Sequence, residues 1–134
     1  MAQDPGLKTI LVVDDDETVA TFFEMLLIKE GFQVAVSQSG QAALTRLKKG
    51  GRAFDLIVLD LMMPAPGGYE VLKELQRLDY QKVPIFIITA RTLDSGTIAM
   101  LKLESNVKEF WKKPIDPADF KKKVHEYLDT TPKS

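Results

Sequence analysis

The stretch "FDLIVLDLMMPAPGG", residues 54–68, decides how the rest of the chain is read. Its first half is an almost purely aliphatic run that ends in a carboxylate, Asp60, and passes directly into Leu-Met-Met-Pro. A run that is apolar on consecutive residues, and not on alternate ones, predicts a strand covered on both faces, as in a parallel sheet. A carboxylate so close to an apolar core is costly unless something satisfies its charge. The stretch therefore predicts a buried strand and, at its carboxyl end, a site built around Asp60.

Working outward, similar runs recur at "TILVVD" (9–14), "QVAVS" (33–37), "VPIFIIT" (83–89) and "VKEFWK" (107–112), with "DLIVLD" (55–60) between them. Helical spacing fills the gaps. Val19, Phe23 and Leu26 form one stripe, Leu44 and Leu47 another, and Val71, Leu75 and Leu78 a third; Ile98 with Leu101, then Phe120, Val124 and Leu128, complete the set. The punctuation agrees: Gly31 follows the first helix, Ser39 caps the second, Gly50-Gly51 ends it, and Asp116-Pro117 opens the last. Asp16 is read as an acid in the first turn of the first helix. About six residues at each end are expected to fray. Five β-α units in a row predict an α/β doubly wound three-layer sandwich around a five-stranded parallel sheet. In that architecture function gathers beyond the carboxyl ends of the strands.

Composition narrows the classes. The 134 residues are 45% hydrophobic and 28% charged, with a formal net charge of −1. That length fits one domain, and the charge argues against a general nucleic-acid or membrane-surface binder. No run approaches a transmembrane length and the start lacks a signal-peptide core, so a cytoplasmic protein is expected. With no cysteine there is no disulfide, thiol nucleophile or thiolate metal site.

The strand ends carry the chemistry. The first is followed by Asp14-Asp15-Asp16, the third ends in Asp60, the fourth in Thr89, and the fifth in Lys112-Lys113 before Pro114. A parallel sheet brings these ends to one edge. Carboxylates crowded there either share protons or bind a cation, and oxygen ligands without His or Cys suit Mg²⁺ or Mn²⁺. Thr89 and Lys113 are donors suited to phosphoryl oxygens, and Asp60 can act as the nucleophile that takes the phosphoryl group.

At these residues the chain resembles a response-regulator receiver domain of two-component signalling. The resemblance spans about Lys8 to Leu128 and rests on "ILVVDDDE", "DLIVLDLMMP" followed by Gly68, "IITA" and "EFWKKP". It implies strand order 2-1-3-4-5 and a single domain over 1–134 with its core at about 8–128. It implies Asp60 as phosphoacceptor, Asp14 and Asp15 as an acidic pair that binds Mg²⁺ with Asp60, and the Met62 backbone carbonyl as a further ligand. Thr89 matches the switch hydroxyl, Lys113 the lysine of the site and Phe110 the switch aromatic. Met62 and Arg91 hold positions that tune phosphoryl lifetime, with Arg91 either stabilising the group or guiding water. The donor would be a phosphohistidine on a histidine kinase or histidine phosphotransfer protein, or a small phosphodonor. The role is regulatory, not that of a metabolic enzyme. Output would pass to a downstream protein target or an output domain absent from this chain, and a phosphorylation-dependent dimer is compatible with it. Departures from the family pattern are "PAPGG" after Met63, and Asn106 where glycine is common, read as a left-handed helix end.

Surplus apolar residues suggest partner faces: Met25 and Ile28 on the first helix for a histidine-bearing helix, and Met100 and Leu103 around the fourth for output or self-association. The single histidine, His125, is read as an ordinary helix residue, Lys121-Lys122-Lys123 as a solvated face, and Trp111 as packing. The rival from another class is a haloacid-dehalogenase-like, Mg²⁺-dependent phosphatase with Asp14 as nucleophile and Asp16 as acid/base. A flavin-binding protein is disfavoured because an acid triplet would repel a phosphate after the first strand.

Overall fold

The computed structural model describes residues 2–49 and 54–132. After a short 3₁₀ turn at Pro5–Leu7, strands and helices alternate: β1 Thr9–Val13, α1 Glu17–Lys29, β2 Gln33–Ser37, α2 Gly40–Lys49, β3 Leu56–Asp60, α3 Gly68–Arg77, β4 Ile85–Thr89, α4 Ser95–Lys102, β5 Val107–Lys112 and α5 Pro117–Leu128. All strands are parallel, in the order β2-β1-β3-β4-β5. The end of α2 expected at Gly50-Gly51 lies outside the described residues.

Strand parity explains the continuous apolar runs. Ile10, Val12, Leu56, Val58, Phe86 and Ile88 pack toward Phe23, Leu27, Phe120 and Val124 of α1 and α5. Leu11, Val13, Ile57, Leu59, Ile85 and Ile87 pack on the other face against Leu44, Leu47, Val71, Leu75 and Leu101 of α2, α3 and α4. Each such side chain, fully buried, contributes on the order of 1.5–3 kcal/mol. Asp14 and Asp60 share the parity of Ile10/Val12 and Leu56/Val58, so the pleat sends both carboxylates toward the same side of the sheet.

Caps set where the helices begin. Asp116 caps α5 with Pro117 in its first turn, and Ser39 Oγ accepts from the Ala42 N–H at 3.0 Å at the start of α2. Gly31, at φ 98°, turns the chain out of α1. Asp16 is the N-cap of α1 itself and not a first-turn acid, its Oδ1 accepting from the N–H groups of Thr18 and Val19 at 2.9 and 3.3 Å. The buried stripe of α1 is Ala20, Phe23 and Leu27; Val19 and Leu26 are only half-buried.

Three further expectations are corrected. Gln3 and Thr130, expected to fray, pair with each other, the Gln3 N–H donating to Asp129 O at 2.7 Å and the Thr131 N–H to Gln3 O at 3.1 Å. Asn106 is not a left-handed helix end; among the described residues, those with positive φ other than glycine are Asp79 and Asp129. Asn106 is 3% exposed, and its amide donates to Tyr80 O and Val83 O at 3.0 and 2.9 Å while its Oδ1 accepts from Gln76 at 2.7 Å. His125 is not bland. It is buried on Phe32, with Nδ1 2.7 Å from Thr130 Oγ1 and Nε2 2.9 Å from Glu30 Oε1.

Trp111 packs edge-on against Phe120, as expected; of Lys121-Lys122-Lys123, Lys122 is exposed, whereas Lys121 and Lys123 are half-buried and Lys121 reaches Glu30 at 3.8 Å. No helix among the described residues is long and apolar enough to cross a membrane.

Candidate functional site

Continuous register delivers the site residues to the carboxyl edge of the sheet. The Asp14 N–H still donates to Ser37 O of β2 at 3.2 Å, so Asp14 extends the ladder one residue past β1. Asp60 is paired with Ile88 in β4, and the next N–H, of Leu61, donates to Ile88 O at 2.8 Å. The Lys113 N–H donates to Thr89 O at 2.9 Å, which carries the lysine past β5 beside the acids. The Lys113–Pro114 peptide that follows is cis.

Asp14 and Asp60 are buried, at 1% and 2% exposure, while Asp15 is open to solvent. Asp14, Asp15 and Asp60 each offer a carboxylate oxygen, all within 4.8 Å of one another. Asp14 Oδ1 accepts from the Asp16 N–H at 2.9 Å, and Asp60 Oδ1 from the Met62 N–H at 3.1 Å. The remaining oxygens share one cation: the Lys113 ammonium lies 3.2 Å from Asp14 Oδ2 and 3.6 Å from Asp60 Oδ2. Asp14 Oδ2 is buried and, apart from that ammonium, makes no directed hydrogen bond. Thr89 is buried, and its Oγ1 accepts from the Arg91 N–H at 3.1 Å.

The electrostatics follow. Burial, then the Asp14 charge, push the Asp60 carboxyl up to about 7, against the pull of the Met62 N–H and Lys113. Burial alone would lower Lys113, but the charges of Asp14 and Asp60 outweigh it and raise it above the ordinary lysine value. One ammonium among three carboxylates leaves an excess of negative charge. Hard oxygen donors, a buried oxygen without a directed hydrogen bond and the absence of His and Cys from the cluster fit a Mg²⁺-like cation.

The other residues singled out from the sequence divide by place. Met62 follows the acceptor strand with its side chain 46% exposed, and Arg91 is exposed at the edge beside Thr89. Phe110 is half-buried against the core on the α4 side of the sheet. Met25, Ile28, Met100 and Leu103 are all exposed and none is in the acid cluster. Met25 and Ile28 line an apolar groove of about 590 Å³ that shares Phe22 with a second groove of about 480 Å³, which reaches Pro114 and Lys113. The phosphatase rival is not favoured: Asp16, its acid/base, serves as the α1 cap through Oδ1. Residue-level reading missed Gly40. A Cβ there would overlap the Pro66 carbonyl of the loop after β3, and the only signal in the sequence was a glycine placed directly after a capping serine.

A doubly wound sheet of this order, with acids after β1 and at the end of β3, a hydroxyl at β4 and a lysine after β5, defines a class of acidic site at the carboxyl edge that could hold a cation. The family model of the response regulator receiver domain matches residues 10–125, and the chain belongs to that family, which serves two-component systems. Transcriptional regulatory protein AfsQ1 of Streptomyces coelicolor is 34% identical over 81% of this chain and 46% of its own length. Response regulator SaeR of Staphylococcus aureus is 30% identical over 89% of this chain and 50% of its own. The chain thus spans about half the length of these curated relatives. Among solved structures, response regulator protein TrrA of Thermotoga maritima in complex with Mg²⁺-BeF superposes with a TM-score of 0.74 at 29% identity, covering 90% of this chain and 99% of that one.

Proposed function

We propose that this chain is a phosphorylation-driven switch in which Asp60 accepts a phosphoryl group from a phosphohistidine on a histidine kinase or histidine phosphotransfer protein. An Asp60 carboxylate oxygen attacks phosphorus, the P–N bond breaks, and the imidazole leaves with the electron pair and takes up a proton. Asp14, Asp15, Asp60 and the Met62 carbonyl would hold Mg²⁺, or Mn²⁺ in its place. When bound, the cation offsets the charge that Asp60 and the incoming phosphoryl oxygens bring together. Lys113, already within 3.6 Å of Asp60, moves its ion pair to the phosphoryl oxygens, and the Thr89 hydroxyl donates to another. Pulling Thr89 inward vacates space for Phe110, and the surface around α4, β5 and α5 shifts population with it.

The observation that carries this reading is the convergence of three carboxylates and one ammonium at a single sheet edge. The raised carboxyl of Asp60 supports it, because a cation or a phosphoryl group relieves the charge that burial resists. Met62 and Arg91, flanking the acceptor, would set how long the phosphoryl group survives. The grooves joined at Phe22 would seat the donor helix, with Met25 and Ile28 as its apolar contacts. Met100 and Leu103 would belong to an output or self-association face, used by a separate target or an output domain. The protein's role is regulatory.

Intact mass after incubation with acetyl phosphate tests the proposal. One phosphoryl adduct is expected on the wild type with Mg²⁺, and none without Mg²⁺ or on Asp60→Asn. Free phosphate released in an Asp14-dependent manner, with no adduct, would favour hydrolysis and overturn the reading.

A further inference from the structure

The loop between β3 and α3 carries Met62, so whatever fixes that loop fixes one wall of the acid cluster. Its base is closed on the acceptor strand: the Gly68 N–H donates to Leu61 O at 3.3 Å, and a Cβ on Gly68 would overlap the Asp60 carbonyl and lie 2.6 Å from Leu61 Cα. Its tip rests on a different element. Gly40, the buried first residue of α2, faces Pro66, so that a Cβ at Gly40 would overlap the Pro66 carbonyl and lie 3.1 Å from Pro66 Cγ. With Gly68 at the base and Gly40 under the tip, residues 62–65 between them are the part left to give way.

We infer that Gly40 is a positioning residue for the acceptor site: its missing side chain seats the 61–67 loop on α2 and so holds Met62 against Asp60. The inference rests on the Mg²⁺-dependent phosphoacceptor reading. Helix α2 contributes no group to the cluster and acts through Pro66. A side chain at Gly40 pushes the tip away from α2. Gly68 holds the base, so the displacement falls on the segment whose Met62 N–H donates to Asp60 Oδ1. Supporting contacts of this kind are worth roughly 10–100-fold in metal affinity. A glycine-to-alanine change in the first turn of a helix with free space around it has the opposite effect on stability, since it restricts the unfolded chain.

Mg²⁺ titration of the folded protein, with no phosphodonor present, tests this on Gly40→Ala and Gly40→Val. The Mg²⁺ dissociation constant is expected to rise about tenfold for alanine and further for valine, and hydrogen exchange at the Met62, Met63 and Ala65 amides to quicken in step. Wild-type affinity and exchange in a folded Gly40→Ala would overturn the inference while leaving the phosphoacceptor reading intact. A wild type that fails to bind Mg²⁺ would instead overturn that reading. Should Gly40→Ala not fold, exchange in the wild type decides. Mg²⁺ is then expected to protect the Ala42 and Ala43 amides, which are bonded to Ser39, along with the loop. Protection confined to the loop would overturn the inference.

Discussion

Two clusters of buried polar side chains sit at opposite ends of the sheet, and they are built on opposite terms. At the amino edge, Glu30, His125 and Thr130 satisfy one another at 2.7 and 2.9 Å, and Lys121 comes within 3.8 Å of Glu30. At the carboxyl edge, Asp14 and Asp60 repel each other, share one ammonium and leave an oxygen without a directed hydrogen bond. A satisfied buried network fixes a structure, whereas a buried repulsion stores a demand that a ligand can meet. The first ties the end of α1 to α5 and the chain termini; the second is where the chemistry is proposed.

The comparison breaks most readily at Asp14. Asp14→Asn should weaken Mg²⁺ binding by roughly 10–100-fold, as losing a charged ligand would, yet raise stability without metal, because a repelling charge has gone. Titration calorimetry and thermal unfolding check the two signs. The pH dependence of stability is a second test. Asp60 ionises near 3.8 when unfolded but near 7 when folded. The folded state therefore binds more protons between those values, and stability should fall as pH rises from about 4 to about 7 and level off above. The drop is at most about 4 kcal/mol. Denaturant unfolding should show that slope in the wild type without metal and a flatter one in Asp60→Asn.

The opposite edge should respond in the opposite way. His125→Ala leaves Glu30 and Thr130 buried without their ring, at a cost of about 2–3 kcal/mol, with Mg²⁺ affinity of the folded protein unchanged. Asn106→Ala, which removes the amide donor to the Tyr80 and Val83 carbonyls and the acceptor for Gln76, should cost about 1–3 kcal/mol. Asp116→Ala should cost about 1 kcal/mol for the lost cap. Urea midpoints rank the three.

What could be read in advance followed from local rules. Strand parity, caps and the acids at strand ends depend on neighbours in the chain, so β1 to β5, Asp116 and the gathering of Asp14, Asp15, Asp60, Thr89 and Lys113 at one edge were legible. Apart from Asp16, whose capping partners Thr18 and Val19 are its near neighbours, the main misses depend on partners remote in sequence. His125 finds Glu30 across 95 residues, Asn106 finds Gln76 across 30, and Gln3 pairs with Thr130. No periodicity announces such a contact, and a lone histidine on a helix looks the same whether it faces water or a carboxylate. Gly40 was hidden for a related reason. The absence of a side chain carries meaning only once the Pro66 loop is in place above it.

The central claim is that the carboxyl edge holds a charge repulsion waiting for a cation. It is tested most directly by thermal unfolding above pH 7, with and without Mg²⁺, for the wild type and Asp60→Asn. The account predicts that Mg²⁺ stabilises the wild type by about 1.4 kcal/mol for each tenfold excess over its dissociation constant. It also predicts that Asp60→Asn is the more stable protein without Mg²⁺ and gains little from it. A wild type indifferent to Mg²⁺, with Asp60→Asn less stable than the wild type, would contradict it.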